Sequence, residues 1–409
     1  MKKKVLISMY SLHIGGAERS LIGLLESFDY DQYEVDLFLY RHEGEFLAHV
    51  PKEVNLLPPI RPYTTFERPI LEVIREGYLY LGTARVLAKL KTRMKHGASE
   101  GLSQTYRQMQ YTWKLSLPRL PKIEKQYDTA ISFLGPHYFV LDKVQAKVKF
   151  GWNHTDYFTI VNPDKRLDES MWRRLDYIVS VSEDCRASFL KVFPHLHEKA
   201  VVIENIISTA FVREQSKVNV KAEMPDDGAI KICSVGRFSD AKGFDLAVVA
   251  CKKLIEAGYN IKWYIVGYGG EEELIKRLIQ EQDMTDRFIL LGKKTNPYPY
   301  IKECDIYCQP SRYEGKAVTV REAQILGKPV LITNFPTAKS QVRDGLDGLI
   351  TPLGIDGIAQ GLKRLIDNRK LRDTIAGNTL LNDYSNIHEI NTLCSLFQCG
   401  ERTDLKEVN

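Results

Sequence analysis

Two cations and two carboxylates in the second half of this 409-residue chain have the types and spacing of a site for a departing anion. Arg237 and Lys242 lie in Val235-Gly236-Arg237-Phe238-Ser239-Asp240-Ala241-Lys242-Gly243-Phe244, between a strand pattern and a helix pattern. A cation ~4 Å from a diphosphate that gains charge as a bond breaks is worth roughly a few kcal/mol at an effective dielectric near 20. That is the scale of an electrostatic catalytic effect. Glu314 and Glu322 lie in Pro310-Ser311-Arg312-Tyr313-Glu314-Gly315-Lys316-Ala317-Val318-Thr319-Val320-Arg321-Glu322-Ala323. Gly315, Lys316, Ala317 and Val318 fall where a helix begins and can offer N–H groups to an anion. Glu314 just before that start, and Glu322 about two turns inside it, are placed to accept hydrogen bonds from ligand hydroxyls. Two carboxylates beside a diphosphate repel it unless cations lie between, and Arg237 and Lys242 meet that need. A solvated surface charge is the plain alternative for any one of these residues. Four of them on strand-to-helix loops make a site the better reading.

A second candidate lies near the N-terminus. Ser11-Leu12-His13-Ile14-Gly15-Gly16-Ala17-Glu18-Arg19-Ser20-Leu21 follows a strand pattern and opens a helix with Leu21, Leu24, Leu25 and Phe28 on one face. Gly15 and Gly16 let the backbone approach a ligand closely, and the helix start offers N–H groups to an anion. A tight turn is the alternative, and the missing GxGxxG fingerprint counts against a dinucleotide cofactor. Asp29-Tyr30-Asp31 spells DxD, but it joins the first helix to the second strand and reads as a turn. No His/Cys group has zinc spacing, so no metal is expected. The cysteines, Cys185, Cys233, Cys251, Cys304, Cys308, Cys394 and Cys399, include no CxxC pair and read as reduced core residues.

Elements that would position these residues follow from hydrophobic periodicity. Strands are expected over 5–9, 35–40, 129–134, 148–152, 177–182 and 200–204, then over 230–235, 261–266, 288–291, 305–309 and 329–333. Alternation with helical patterns predicts parallel sheets and an α/β fold. The rhythm restarts near Ile230, giving domains at 1–207 and 229–381, a linker at 208–228 and a tail at 382–409 that crosses back toward the first domain. Two such open sheets make a cleft outside the strand carboxyl ends. From Glu67 to Lys122 the pattern is largely helical. Residues 84–97 within it carry Arg85, Lys89, Lys91, Arg93 and Lys95 with no acidic residue, alongside Leu87, Leu90 and Met94. That segment reads either as a contact with an anionic membrane or acceptor, or as a solvated helix face. The N-terminal Met-Lys-Lys-Lys-Val-Leu-Ile-Ser reads as a first strand, not a signal peptide, and no apolar run reaches the ~18 residues of a membrane span. A net charge of +5 fits anionic partners and is too small to argue for nucleic acid.

On these residues the chain resembles glycosyltransferase family 4 members with the GT-B fold: a Gly-Gly-Ala-Glu entry loop, the Arg237-x4-Lys242 pair and the Glu314-x7-Glu322 motif. The stretch from Asn296 to Lys316 is similar to bacterial enzymes that build capsules, exopolysaccharides or lipopolysaccharide. The resemblance implies two Rossmann-like domains facing across a cleft and a retaining hexosyltransferase that needs no metal or cofactor. Its co-substrate would be a nucleotide-sugar, UDP-linked on resemblance, and its acceptor a glycan or lipid-linked saccharide. It further implies that Gly236, Arg237, Lys242, Gly315, Lys316 and Ala317 bind the donor diphosphate. Glu314 would position the donor sugar, Glu322 the ribose, and Gly15 and Gly16 would meet phosphate or acceptor. His154, in Trp152-Asn153-His154-Thr155-Asp156, matches the family's active-site histidine, with a satisfied structural histidine as its alternative. Asn205 matches an asparagine near the linker, although Asn205-Ile206-Ile207 departs from the usual Asn-Gly. Retention is implied to proceed by same-face attack, since no carboxylate suited to a covalent intermediate is evident. A cytoplasmic location follows, with the inner face of the cell membrane as its extension. The rivals are an inactive glycosyltransferase-like partner subunit, a nucleotide-sugar epimerase, a phosphorylase without its pyridoxal lysine, and a nicotinamide oxidoreductase without its fingerprint.

Overall fold

Near-continuous runs of buried residues mark where the sheets form. In a computed structural model that describes residues 2–66, 68–96, 102–155, 157 and 164–403, the chain divides into two units. One is 1–206 with 387–409 and the other is 207–386. Gly97 of the basic segment, Asp156 of the histidine motif and residues 404–409 of the tail lie outside the described residues.

The second unit runs α8 (Thr209–Gln215), β8 (Ile230–Val235), α9 (Phe244–Glu256), β9 (Ile261–Val266), α10 (Glu272–Glu281), β10 (Phe288–Gly292), α11 (Tyr298–Glu303), β11 (Ile306–Gln309), α12 (Val318–Ile325), β12 (Val330–Thr333), β13 (Leu349–Thr351), α13 (Ile355–Asp367) and α14 (Arg369–Leu380). Its six strands are parallel, in the order β10-β9-β8-β11-β12-β13. Ile232, Trp263, Ile306 and Leu331 pack on one face with Phe244, Val248 and Ile358. Their neighbours Cys233, Tyr264, Tyr307 and Ile332 pack on the other with Tyr300, Val320 and Ala323. Adjacent residues point to opposite faces, so helices cover both sides, as a parallel sheet requires. The same alternation separates Cys233 from Cys308, and the described cysteines are all free.

The first unit runs β1 (Lys3–Met9), α1 (Gly16–Glu26), β2 (Tyr33–Leu39), β3 (Asn55–Leu56), α2 (Ile70–Arg75), α3 (Leu79–His96), α4 (Leu102–Ser116), β4 (Gln126–Ser132), α5 (Tyr138–Lys143), β5 (Gln145–Asn153), α6 (Lys165–Trp172), β6 (Tyr177–Ser180), α7 (Glu183–Val192) and β7 (Ala200–Val202). Its parallel sheet has the order β3-β2-β1-β4-β5-β6-β7. The helices α2 to α4 are inserted between β3 and β4. They are anchored by Trp113, which stacks on Phe66 at 4.3 Å between ring centroids and donates to the Tyr10 hydroxyl at 2.6 Å. The final helix α15 (Glu389–Thr403) packs on this unit, with Phe397 against Tyr33 and Phe150.

The linker and the strand count differ from expectation. Residues 208–228 are not a free linker: α8 and the buried Val220 and Met224 belong to the second unit, because isolated apolar residues fill gaps there without any helical or strand period. The sheets also carry two strands that periodicity missed, β3 and β13, of 2 and 3 residues. Among the described residues no helix is long and apolar enough to cross a membrane.

Candidate functional site

In the second unit the chain winds outward from β8 through β9 to β10, and in the opposite direction from β11 through β12 to β13. The loops after β8 and β11 therefore part company at the carboxyl ends of adjacent strands, the place where open α/β sheets bind ligands. These are the loops that carry Arg237, Lys242 and Glu314. They are fastened to each other. Gly243 caps α9 with φ of 64°, and a Cβ there would lie 2.2 Å from the Pro310 carbonyl oxygen, so only glycine fits. The Arg312 amide donates to the Ala241 carbonyl at 2.8 Å, and its guanidinium grips the Asp245 carboxylate at 2.7 and 2.5 Å. Burial raises the Asp245 carboxyl, but the guanidinium outweighs it and holds the group below the usual range.

This stitching brings Lys242 onto Glu314. The Lys242 stem lies across Gly236, where a Cβ would sit 3.3 Å from its Cδ and Cε. The Lys242 Nζ donates to Glu314 Oε1 at 2.5 Å, and the same oxygen accepts from Ser311 Oγ at 2.6 Å and Gln309 Nε2 at 3.1 Å. No described group donates to Oε2, although Glu314 is only 7% exposed. The carboxylate is thus fixed through one oxygen while the other keeps its accepting capacity. Thr337 Oγ1 donates to the Glu314 carbonyl at 3.0 Å and accepts from Gln341 Nε2 at 3.0 Å. Gln341 Oε1 in turn accepts from the Ala317 amide at 2.9 Å. The Ala317 N–H, expected to help cradle an anion, is therefore occupied by a side chain. The first-turn amides of Val318 and Thr319 have no partner within α12. Gly315 and Lys316 are half-buried and Arg237 is exposed, two residues beyond β8. Among the described residues no ion pair or hydrogen bond is found for the Arg237 side chain.

Glu322 is expected to accept from ribose hydroxyls. It is fully buried and accepts from the Tyr298 hydroxyl at 3.1 Å. The helical period puts it on the same side of α12 as Val318 and Ile325, which pack against Ile207, Val212 and Tyr298.

In the first unit the winding reverses between β1 and β4. Gly15 and the exposed Gly16 open α1 after β1. The Glu18 carboxylate folds back over Gly15, where a Cβ would meet its Oε2 at 2.0 Å, so this helix start is covered by an anion of its own. Asn205, past β7, is buried, and its Oδ1 accepts from Ser20 Oγ of α1 at 2.8 Å. His154 follows β5 and is half-buried, with Nε2 2.8 Å from the Phe133 carbonyl oxygen. A carbonyl only accepts, so Nε2 carries the proton and Nδ1 is left as an acceptor. Burial pushes the imidazole down to about 4, so it is neutral near pH 7.

Sequence reasoning missed His137, which follows β4 at the same reversal point. It is fully buried, with Nδ1 2.8 Å from Ser132 Oγ and, among the described residues, no partner for Nε2. Burial and the neighbouring His154 push it down to about 3. Its only sequence signal was its place four residues past the Ser132-Phe133 pair at a strand end. Gln309, Ser311, Arg312, Asp245, Thr337 and Gln341 were also without assigned roles. Asp29 of the DxD stretch accepts from the Asp31 amide at 3.0 Å and from Gln32 Nε2 at 2.5 Å, forming a turn. Among the described residues no three His, Cys, Asp or Glu side chains are grouped to hold a metal ion.

Residues 216–380, which hold both stitched loops, match the family model described as Glycosyl transferases group 1. The amylovoran biosynthesis glycosyltransferase AmsK of Erwinia amylovora is 29% identical over 171 residues, 40% of this chain and 41% of AmsK, so the match spans well under half of that relative. The N-acetylgalactosamine-N,N'-diacetylbacillosaminyl-diphospho-undecaprenol 4-alpha-N-acetylgalactosaminyltransferase of Campylobacter jejuni is 23% identical over 389 residues, covering 90% of this chain and 92% of that enzyme. Among solved structures, Anabaena Alr3699/HepE in complex with UDP superposes with a TM-score of 0.65 at 16% identity, covering 97% of this chain and all of that one. Likeness at that identity establishes the fold, two Rossmann-like units of the GT-B type.

Proposed function

Starting from a chain whose residues 216–380 match the model of the glycosyl transferases group 1, we propose that the protein is a retaining, metal-independent glycosyltransferase. It moves a sugar from a UDP-sugar to a glycan or lipid-linked acceptor in bacterial surface-polysaccharide synthesis, on the cytoplasmic side. The observation that carries the proposal is the Lys242–Glu314 contact, at 2.5 Å, where the winding of the second sheet reverses. The UDP bound to HepE and the lipid diphosphate named in the Campylobacter enzyme support the choice of donor and acceptor.

In this reading the donor diphosphate takes up the positive charge of Lys242 and Arg237, and the two cations neutralise the phosphate as the glycosidic bond breaks. Lys242 can turn toward phosphate without stranding Glu314, which keeps its bonds from Ser311 and Gln309. Glu314 Oε2 accepts from a hydroxyl of the donor sugar. The amides at the start of α12 meet the phosphate. His154, neutral and with Nδ1 as acceptor, takes a hydrogen bond from a sugar hydroxyl. The acceptor oxygen attacks on the face the nucleotide leaves, and the departing phosphate receives the acceptor proton. Cations from side chains supply the charge, so no metal is called on. Glu322 accepts from the nucleoside ribose with the capacity that its bond from Tyr298 leaves.

The test is release of nucleoside diphosphate from a panel of UDP- and GDP-sugars by wild type and Lys242→Ala. A rate loss of about a hundredfold or more is expected on removing one charge stabiliser. Equal rates would defeat the assignment.

A further inference from the structure

The helix α3 has two apolar faces, and the fold uses only one. Leu81, Ala84, Ala88 and Thr92 are buried between α3 and its neighbours. At 3.6 residues per turn, Leu79, Val86, Leu87, Leu90 and Met94 fall within an arc of roughly 100° on the opposite side. All five are exposed, from 42% for Val86 to 87% for Met94. A soluble helix normally turns polar residues to solvent, and a continuous exposed apolar stripe marks a surface that something covers.

Charge decides what covers it. Lys89 and Arg93 flank the stripe on one side, and Lys91 and Lys95 on the other, where their ammonium groups lie 4.9 and 5.8 Å from the Tyr111 ring centroid. From Gly77 to Ser99 the chain holds no aspartate or glutamate. An apolar stripe edged on both sides by long basic side chains fits an anionic bilayer surface. The apolar residues enter the acyl boundary while the lysine and arginine stems reach back to lipid phosphates. A second copy of the chain would set cation against cation along the same edges.

We propose that the exposed face of α3 is a docking surface for an anionic phospholipid bilayer. The surface stands on its own observations, whether or not the transfer reaction is found.

The experiment is vesicle flotation of the full chain with phosphatidylcholine alone and with added phosphatidylglycerol, at low and high salt. Wild type should float with the anionic vesicles, and high salt should weaken this, since exposed charges are screened. Leu87→Ser/Leu90→Ser/Met94→Ser and Lys89→Glu/Arg93→Glu should each weaken binding by about tenfold or more. Both sets lie on the solvent side, so circular dichroism and melting should match wild type. The proposal falls on any of three results: wild type stays in the aqueous fraction at low salt, the serine variant binds as well as wild type, or sedimentation equilibrium reveals a dimer that the serine variant abolishes.

Discussion

At Glu314 one oxygen holds three donors and the other none, and this asymmetry gives Ser311 a positioning role. Ser311→Ala removes a 2.6 Å bond to Oε1 while leaving Lys242 and Gln309 in place. Losing one hydrogen bond to a charged group corresponds to about 1.5–3 kcal/mol. Turnover should therefore fall by roughly tenfold or more with a smaller change in donor KM, as steady-state kinetics would show. Three other groups of the first unit link its stability to pH. His137 and His154 are held below the ordinary 6.5, at about 3 and about 4. The stability they contribute is complete above pH 6.5 and drains away as the pH falls toward those values. Asp168 runs the other way. Burial raises it to about 6, against the bonds from the Tyr157 hydroxyl and Gln110. Its contribution is complete below its ordinary value of 3.8 and is lost as the pH rises through about 6. Between these limits it offsets part of the histidines' acid loss. Asp168→Asn should make stability fall more steeply on acidification, by up to about 1.4 kcal/mol per pH unit, in denaturant titrations from pH 4 to pH 6. Much of this scale was legible in the sequence. Lys242 and Glu314 could be paired because both stand on strand-to-helix loops. The burial of Glu322 was not read, although its spacing from Val318 and Ile325 puts all three on one side of the helix. Arg312 with Asp245, and Ala317 with Gln341, were not legible, because nothing local announces a partner so far along the chain.

Among elements, the joint between the loops after β8 and β11 depends most on a single atom's absence. Gly243→Ala would place a non-glycine residue at φ of 64° and drive its Cβ into the Pro310 carbonyl. The left-handed conformation alone costs about 1–2 kcal/mol. The clash adds to it, so the melting midpoint should drop by at least ~2–4 °C in calorimetry, with activity lost beyond what stability explains. Strand positions were readable because apolar runs of four or more residues bounded by turn residues have few other solutions. The short strands β3 and β13 escaped because two or three residues carry no period. The stretch 208–228 looked like a linker for the same reason. Its helix α8 has seven residues, and its core members Val220 and Met224 stand alone among polar neighbours.

At the scale of the molecule, the described clusters of 207–386 include Ile232 and Cys233, and those of the first unit include Leu6, Phe38 and Ala88. Under the proposed function a nucleotide bound by the second unit stabilises that unit. UDP at about 100 times its dissociation constant should add roughly 2.7 kcal/mol. Scanning calorimetry should show this as a raised midpoint in wild type and no shift in Lys242→Ala. The two-sheet plan could be read from the restart of the strand rhythm at Ile230. The return of the chain could only be guessed, since the contacts of Phe397 with Tyr33 and Phe150 join segments more than two hundred residues apart.

That return has a consequence for biosynthesis. The first unit's sheet is translated before 207–386, yet Leu393 and Phe397 of the helix that packs on that unit are translated after it. At ~5–20 residues per second, translation of the intervening unit holds that packing back for roughly ten to forty seconds. Through that interval Tyr33 and Phe150 of the nascent chain lack their aromatic partner Phe397, so the first unit is completed only after 207–386 has been made.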